Sequence, residues 1–423
     1  MNPVVVIAII IAVAVFLFIW NKISPAATAL LIILALYGTG LVAVNTLFSS
    51  FVNSSTLLVL NMFVICGAAT KAGITRDLGK WLLRFAKTER TAAVLLMLVT
   101  IVFSSFFSNM ATTAMMVPIV YGICQVNPEY RSGKLLLPVA FGAGLGGLNT
   151  VVGSVGNAMA RSVLQEAGYS GVGFFSFAKI GIPVSILGIL FMYFIGYRML
   201  PESRTIDVDV NVDSASGTVE AIVPWKRTLA IIVFVLVMIG MMLESVIGVP
   251  VHITSLVGVV ILIVSGVLSD KEAFAMVNWP TIIFFGGLLA LSSAITASGL
   301  DNLIADWIVK VLGSASNVYI ICGVIFVVMS VATQVMSNGA LLAIFLPIGI
   351  SISEKIGCNP VAIIMLINVA SSCSFATPMA TPLNAYVMGI GKLKFVDFFK
   401  SGIVLTLLCG VLCVLLLPTL WPL

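Results

Sequence analysis

Charge is what this chain has least of. Asp, Glu, Lys and Arg make up 9% of its 423 residues, against roughly 25% in soluble domains. So little charge excludes an ordinary water-soluble fold. Histidine occurs once, as His252. A lone imidazole builds neither a metal site nor a catalytic dyad, and a loop position is the plain reading for it. The seven cysteines lie mostly inside apolar runs, as Cys66, Cys322, Cys409 and Cys413 do, without ligand-like spacing. They read as small packing residues with free thiols. No His/Glu metal motif or pair of buried acids is present, so the chain is not expected to be an enzyme. The net charge of +5 does not point to nucleic acid, because in a membrane protein Lys and Arg set orientation.

What is present is apolar sequence, 61% of the chain. It comes in runs of about 17–22 residues, the length of bilayer-spanning helices rather than of barrel strands. Ten spans are expected, at 4–20, 25–45, 55–72, 135–160, 179–199, 227–247, 251–269, 280–297, 360–386 and 401–420. Val4 to Trp20 is unbroken, with Pro3 at its start and no basic residue before it. It reads as a first span and not as a cleaved leader. The chain is therefore an all-α polytopic membrane protein whose first partner is the lipid bilayer.

A short stretch occurs twice. Residues 104–118 and 333–347 each carry Ser-Asn-x-Ala, with a Pro ten residues after the Ser: Ser108 to Pro118, and Ser337 to Pro347. Each has a polar partner downstream, Gly153-Ser154-Val155-Gly156-Asn157 and Ala380-Thr381-Pro382-Leu383-Asn384. Gly73 and Gly299 are 226 residues apart, as are Trp81 and Trp307; Asn157 and Asn384 differ by 227, Ser108 and Ser337 by 229. So steady an offset marks an internal duplication. The expected plan is repeat one over 1–199, a polar acidic linker over 200–225, and repeat two over 226–423. Each repeat has five spans, a re-entrant hairpin (91–124 and 316–352) and a broken helix.

Five spans per repeat is an odd number, so the halves insert upside down. The basic stretch 71–90, with Leu78, Trp81, Leu82 and Phe85 along one face, reads as a helix at the cytoplasmic interface. With that stretch inside, 17 of the 21 Lys and Arg fall on the cytoplasmic side, as the positive-inside bias requires. Hairpin one then enters from the cytoplasm, hairpin two from outside, and both termini face outside.

Non-helical backbone inside a bilayer is tolerated only where it is buried or lines a cavity. Two hairpin tips and two broken spans meeting near the midplane match the place where inverted-repeat transporters hold substrate and coupling ions. Helix N-termini opened by the breaks suit an anion. Freed carbonyls with Ser, Thr and Asn oxygens suit a hard cation. The tips contain no Asp, Glu, Lys, Arg or His. The charge of an anion is then met by dipoles and co-bound cations, which favours cation coupling over a proton relay. Asn109 and Asn338, costly in lipid and placed equivalently in both repeats, belong to the central site. Gly142, Gly144, Gly146 and Gly147 read as close helix packing.

At these residues the sequence resembles the divalent anion/Na⁺ symporter family, within the wider ion transporter superfamily. The resemblance covers nearly the whole chain, through Ser108-Asn109-Met110, Ser337-Asn338-Gly339 and the break at Ala380–Asn384. It implies an elevator-type homodimer in the plasma (inner) membrane, with spans one to three and six to eight as scaffold. One Na⁺ would be held by Ser104, Ser108, Asn109 and Gly153, the other by Thr333, Ser337, Asn338 and Ala380. Substrate carboxylates would meet Asn109, Asn338, Thr381 and Pro382, with Ser154, Asn157 and Asn384 as further candidates. Thr112 is another, or else bonds back to its own helix. The family places Thr where this chain has Met110 and Gly339, which removes two hydroxyl donors. The expected function is Na⁺-driven transport of a small anion, a di- or tricarboxylate or similar. Anion exchange, proton coupling or an arsenite-type permease of the same fold are the alternatives. A membrane-embedded enzyme or assembly protein would leave the duplicated hairpins without a purpose.

Overall fold

The computed structural model describes residues 2–20, 22–74, 85, 87–169, 171–203, 223–312 and 318–421. Among them the regular structure is helical throughout. Repeat one opens with α1 (Pro3–Trp20), α2 (Pro25–Thr39), a short α3 (Val44–Ser49) and α4 (Ser54–Lys71). Ser24 caps α2 by accepting from the Ala27 N–H, and Pro25 stands at its first turn. Span two was expected to reach residue 45 but stops at Thr39. Gly40 takes φ 67° there, a left-handed conformation that suits glycine and ends a helix.

The hairpin follows as α5 (Glu89–Ser104) and α6 (Asn109–Val126), the broken span as α7 (Ser132–Gly146) and α8 (Val155–Glu166), and then α9 (Ala178–Phe194). Repeat two runs through α10 (Pro224–Met242), α11 (Glu244–Ile247), α12 (Val251–Val264), α13 (Asp270–Met276), α14 (Trp279–Ser298) and α15 (Leu300–Leu312). Its hairpin is α16 (Val318–Ala332) and α17 (Asn338–Ile356), its broken span α18 (Pro360–Ser372) and α19 (Pro382–Gly391), and α20 (Phe395–Leu420) closes it.

The packing is reciprocal, as a pseudo-twofold relation between inverted repeats demands. Helix α2 lies on α14, and its counterpart α12 lies on α4, the counterpart of α14. Helices α9 and α20, equivalents of each other, pack together. Gly73 and Gly299, 226 apart, share a left-handed backbone at φ +84° and +74°. The hairpins open in opposite directions. The open end of the first is tied by Glu89, which accepts from the Arg131 N–H at 2.5 Å and the Tyr197 hydroxyl at 2.6 Å. The open end of the second is tied at the other pole by Lys355 on Asp306 at 2.6 Å.

Several boundaries differ from expectation. The second hairpin arms are 18 and 19 residues long, and they run to Val126 and Ile356, past the expected hairpin ends at 124 and 352. Each begins at its Asn because Ser108 or Ser337 caps it, and each carries an internal proline, Pro118 or Pro347. The break in span four starts only after Gly146. Gly142 and Gly146 stay helical and bring α7 onto α5: a Cβ would lie 2.8 Å from the Met97 carbonyl oxygen and 2.3 Å from that of Ile101. These glycines therefore serve close packing. His252 sits in the first turn of α12 rather than in a loop. Most of the basic stretch 71–90, and of the linker, lies outside the described residues.

Candidate substrate and cation site

The four polar interruptions meet at one cavity of about 520 Å³, well within the size of small-molecule sites. Ser108, Asn109 and Met110 reach it from the first hairpin tip, and Ser337, Asn338 and Gly339 from the second. Gly153, Ser154 and Gly156 border it from the first break, and Ala380, Thr381, Pro382 and Asn384 from the second. Opposite them stand Val59, Met62 and Phe63 of α4 and Phe284 of α14. Among the described residues, no Asp, Glu, Lys, Arg or His lines it.

What lines it instead is a set of helix N-termini. Helices α6, α8, α17 and α19 all begin at its wall, capped by Ser108, Ser154, Ser337 and Thr381. Each cap hydroxyl accepts from the N–H three residues on, at 3.3 Å from Ala111, 3.2 Å from Asn157, 3.4 Å from Ala340 and 3.4 Å from Asn384. A helix N-terminus carries about half a positive charge. Four together present roughly two positive charges to the cavity without any ionised side chain.

Behind this wall the two repeats make the same bonds. In the second, Asn384 Nδ2 donates to the carbonyls of Ser374 (2.8 Å) and Thr377 (3.1 Å). In the first, Asn157 Nδ2 donates to those of Gly147 (2.8 Å) and Thr150 (2.6 Å). Thr377 Oγ1 donates to the Gln334 carbonyl, and Thr150 Oγ1 to its equivalent, the Ser105 carbonyl. The Thr377 and Thr150 bonds hold the unwound segments against the hairpin tips.

At the first tip, Ser104 Oγ donates to the Ala143 carbonyl at 2.9 Å. Ser104 Oγ also lies 2.8 Å from Asn109 Oδ1. With that amide turned over, its nitrogen would donate to the Gly153 carbonyl at 2.9 Å, the Ala143 carbonyl at 3.2 Å and Ser104 Oγ at 2.8 Å. At the second, Thr333 Oγ1 lies 2.6 Å from the Ser371 carbonyl and 2.8 Å from Asn338 Oδ1.

A model of the citrate transporter (CitMHS) family matches residues 15–344. The chain belongs to the citrate transporter family. Among its curated relatives, an uncharacterized transporter of Haemophilus influenzae is 28% identical over 91% of this chain and 85% of its own length. The sodium-dependent dicarboxylate transporter SdcS of Staphylococcus saprophyticus is 25% identical over 96% of this chain and 84% of its own. The solved structure of the Alcanivorax borkumensis YdaH transporter superposes with a TM-score of 0.63 at 14% identity, over 89% of each chain. This family member is thus a polytopic membrane transporter and not an enzyme.

Of the sequence candidates, the two Asn tips, the four helix caps, Gly153, Ala380, Pro382 and Asn384 share the cavity wall. Ser104 and Thr333, both fully buried, stand one layer behind it. Asn157 also lies behind it, with its amide consumed by backbone carbonyls and by Asn368. Thr112 is buried away from the cavity, and its hydroxyl has no partner among the described residues. Asn368 was missed. Its Nδ2 donates to Asn157 Oδ1 at 2.7 Å and joins the two broken spans. At the offset of 227 that joins Asn157 to Asn384, Asn368 falls on Phe141, so the duplication gave no signal for it. Thr150 and Thr377 were legible in principle, being threonines 227 residues apart.

Proposed function

We propose that this family member is a secondary active transporter of a small multivalent anion, a di- or tricarboxylate, coupled to Na⁺ and working by an elevator motion. The observation that carries this is the meeting of four hydroxyl-capped helix N-termini around a cavity with no charged lining. Dipoles of that sum balance an anion of charge two in a medium too apolar to leave it bare. Apolar walls from Met62, Phe63 and Phe284 suit its carbon skeleton.

Na⁺ coupling is supported by the oxygens behind the wall. Thr333 Oγ1 has one proton for two acceptors, Asn338 Oδ1 and the Ser371 carbonyl. One oxygen pair therefore meets without a hydrogen between them, a surplus that a hard cation relieves. In repeat one Ser104 Oγ faces the equivalent two acceptors, Asn109 Oδ1 and the Ala143 carbonyl. The Gly153 carbonyl beside them brings the oxygens to four. A bound Na⁺ supplies positive charge next to the substrate. The protein's part is to hold the oxygens and exclude water. Proton coupling finds no support in the cavity lining, which among the described residues offers no carboxylate or imidazole.

The elevator reading divides the chain into a scaffold, α1–α4 and α10–α14, and a moving bundle of hairpins, broken spans, α9 and α20. The cavity lies on that boundary, and it also touches the capped starts of α2 at Ser24 and α14 at Asn278. Those starts lie at the pole rich in Lys and Arg, where Lys71 pairs with Glu272. We read that pole as cytoplasmic, the membrane as the plasma (inner) membrane and the assembly as a homodimer. The test is uptake of labelled citrate and succinate into proteoliposomes with and without an inward Na⁺ gradient. Collapse of uptake without the gradient is expected. Uptake indifferent to Na⁺ but stimulated by internal anion would replace this reading with exchange.

A further inference from the structure

The two poles of the scaffold–bundle boundary are not alike. At the basic pole the cavity reaches Ser24, Asn278 and Thr281. At the opposite pole the same boundary is closed by polar contacts from α8. Asn53 Nδ2 donates to Ser162 Oγ at 3.3 Å, and Ser54 Oγ to Gln165 Oε1 at 3.2 Å. Ser293 Oγ donates to Glu166 Oε2 at 3.3 Å. Beside them Arg161 Nη2 meets Glu244 Oε1 at 3.1 Å, with side-chain exposures of only 8% and 22%.

Glu244 is fixed to the scaffold, since the same Oε1 accepts from the Val251 N–H at 3.3 Å and ties α11 to the start of α12. Arg161 lies in the middle of α8, whose first residues, Val155 and Gly156, border the cavity. The pair therefore links the site-bearing helix to the scaffold across the boundary on which motion would occur. The duplication has no copy of it. By the offset of 226–227 the equivalents at the basic pole are Met388 for Arg161 and Phe18 for Glu244, both uncharged.

We propose that Arg161–Glu244 is a one-sided latch, resting on the elevator reading above: it closes the pole away from the basic end and biases the carrier toward the state open at the basic end. When α8 slides, the pair must separate, and a buried charge without its partner is strongly unfavourable. At the other pole the repeat equivalents, Met388 and Phe18, can form no such pair, so this contact favours one end state over the other. The substrate and its co-bound cations must overcome that preference in each cycle.

The experiment uses the full chain in proteoliposomes, with Cys66, which borders the cavity, replaced by Ala. A reporter cysteine is placed at Thr281→Cys, on the open side, or Ser54→Cys, in the closed contact. Labelling by a membrane-impermeant maleimide is measured from each side, against the same chain without the reporter. Relative to the native pair, Glu244→Gln is expected to slow Thr281→Cys labelling roughly fivefold or more and to speed Ser54→Cys labelling by a similar factor, a modest coupling for a conformational switch. Glu244→Asp, which keeps the charge, and the exchange Arg161→Glu with Glu244→Arg should move labelling back toward the native rates. Unchanged labelling at both positions in a Glu244→Gln chain with native melting behaviour would overturn the latch. If Glu244→Gln lowers the melting temperature and speeds labelling at both positions alike, the pair is structural and the latch is again overturned. A chain that transports nothing but still shows the opposed labelling shifts would refute the transport reading and leave the latch standing.

Discussion

Asn157 gives the sharpest test of how the cavity wall is held. Its side chain makes four hydrogen bonds: Nδ2 to the Gly147 and Thr150 carbonyls, and Oδ1 from Ser154 Oγ and from Asn368 Nδ2. Asn384, its repeat counterpart, makes two side-chain bonds among the described residues, both to carbonyls. Interhelical hydrogen bonds in membrane proteins average about 0.6 kcal/mol each, with a ceiling near 1.7. Asn157→Ala should therefore destabilise by about 2.4 kcal/mol, and Asn384→Ala by about 1.2. The gap is close to tenfold in an equilibrium constant, since 1.4 kcal/mol is a factor of ten. The assay is the thermal midpoint of detergent-purified protein without substrate, so that any contact of Asn384 with the anion does not enter. The larger drop must belong to Asn157→Ala. Combining it with Asn368→Ala should cost less than the two single losses added together, by about 0.6–1.7 kcal/mol, because the pair shares one bond. Equal midpoints for the Asn157 and Asn384 variants, or strict additivity with Asn368→Ala, would refute the reasoning.

Further expectations follow from the tips and the interface. Asn109→Ala and Asn338→Ala should abolish Na⁺-dependent uptake while the protein elutes and melts as a folded chain; native rates in both would remove these residues from the site. Gly339→Thr should impair transport, not improve it, because a Cβ there would lie 2.6 Å from the Phe284 ring of α14. Gly339→Thr with Phe284→Ala should recover part of the uptake, and full activity of the single variant would contradict the close contact. Glu272 is held down at about 2, first by its bond to Lys71 and then by the Ser269 N–H it caps. Its folded value lies below its ordinary one, so its contribution is present above about 4.5 and lost as pH falls toward 2. The Glu272→Gln variant should therefore lose its stability deficit progressively as melts are taken from pH 4.5 down to pH 2, and a deficit independent of pH would disprove the pairing.

Much of this protein is written in its sequence. Scarcity of charge and the length of the apolar runs require helices in a bilayer, because backbone polar groups have no other partner there. The offset joining Asn157 to Asn384 and Gly73 to Gly299 carries the duplication. Ser108 and Ser337 mark where the hairpin arms start, since a hydroxyl followed by an unsatisfied N–H is a local signal. What the duplication could not carry was any feature present in one copy only. Asn368 bonding Asn157, Glu244 meeting Arg161 and Phe284 pressing on Gly339 each join residues far apart in the chain. Such pairs depend on how the folded halves approach each other, and neither period nor offset records that approach. The closing of one pole and the opening of the other belong to tertiary structure for the same reason. Two halves of one plan permit both arrangements, and only packing selects between them.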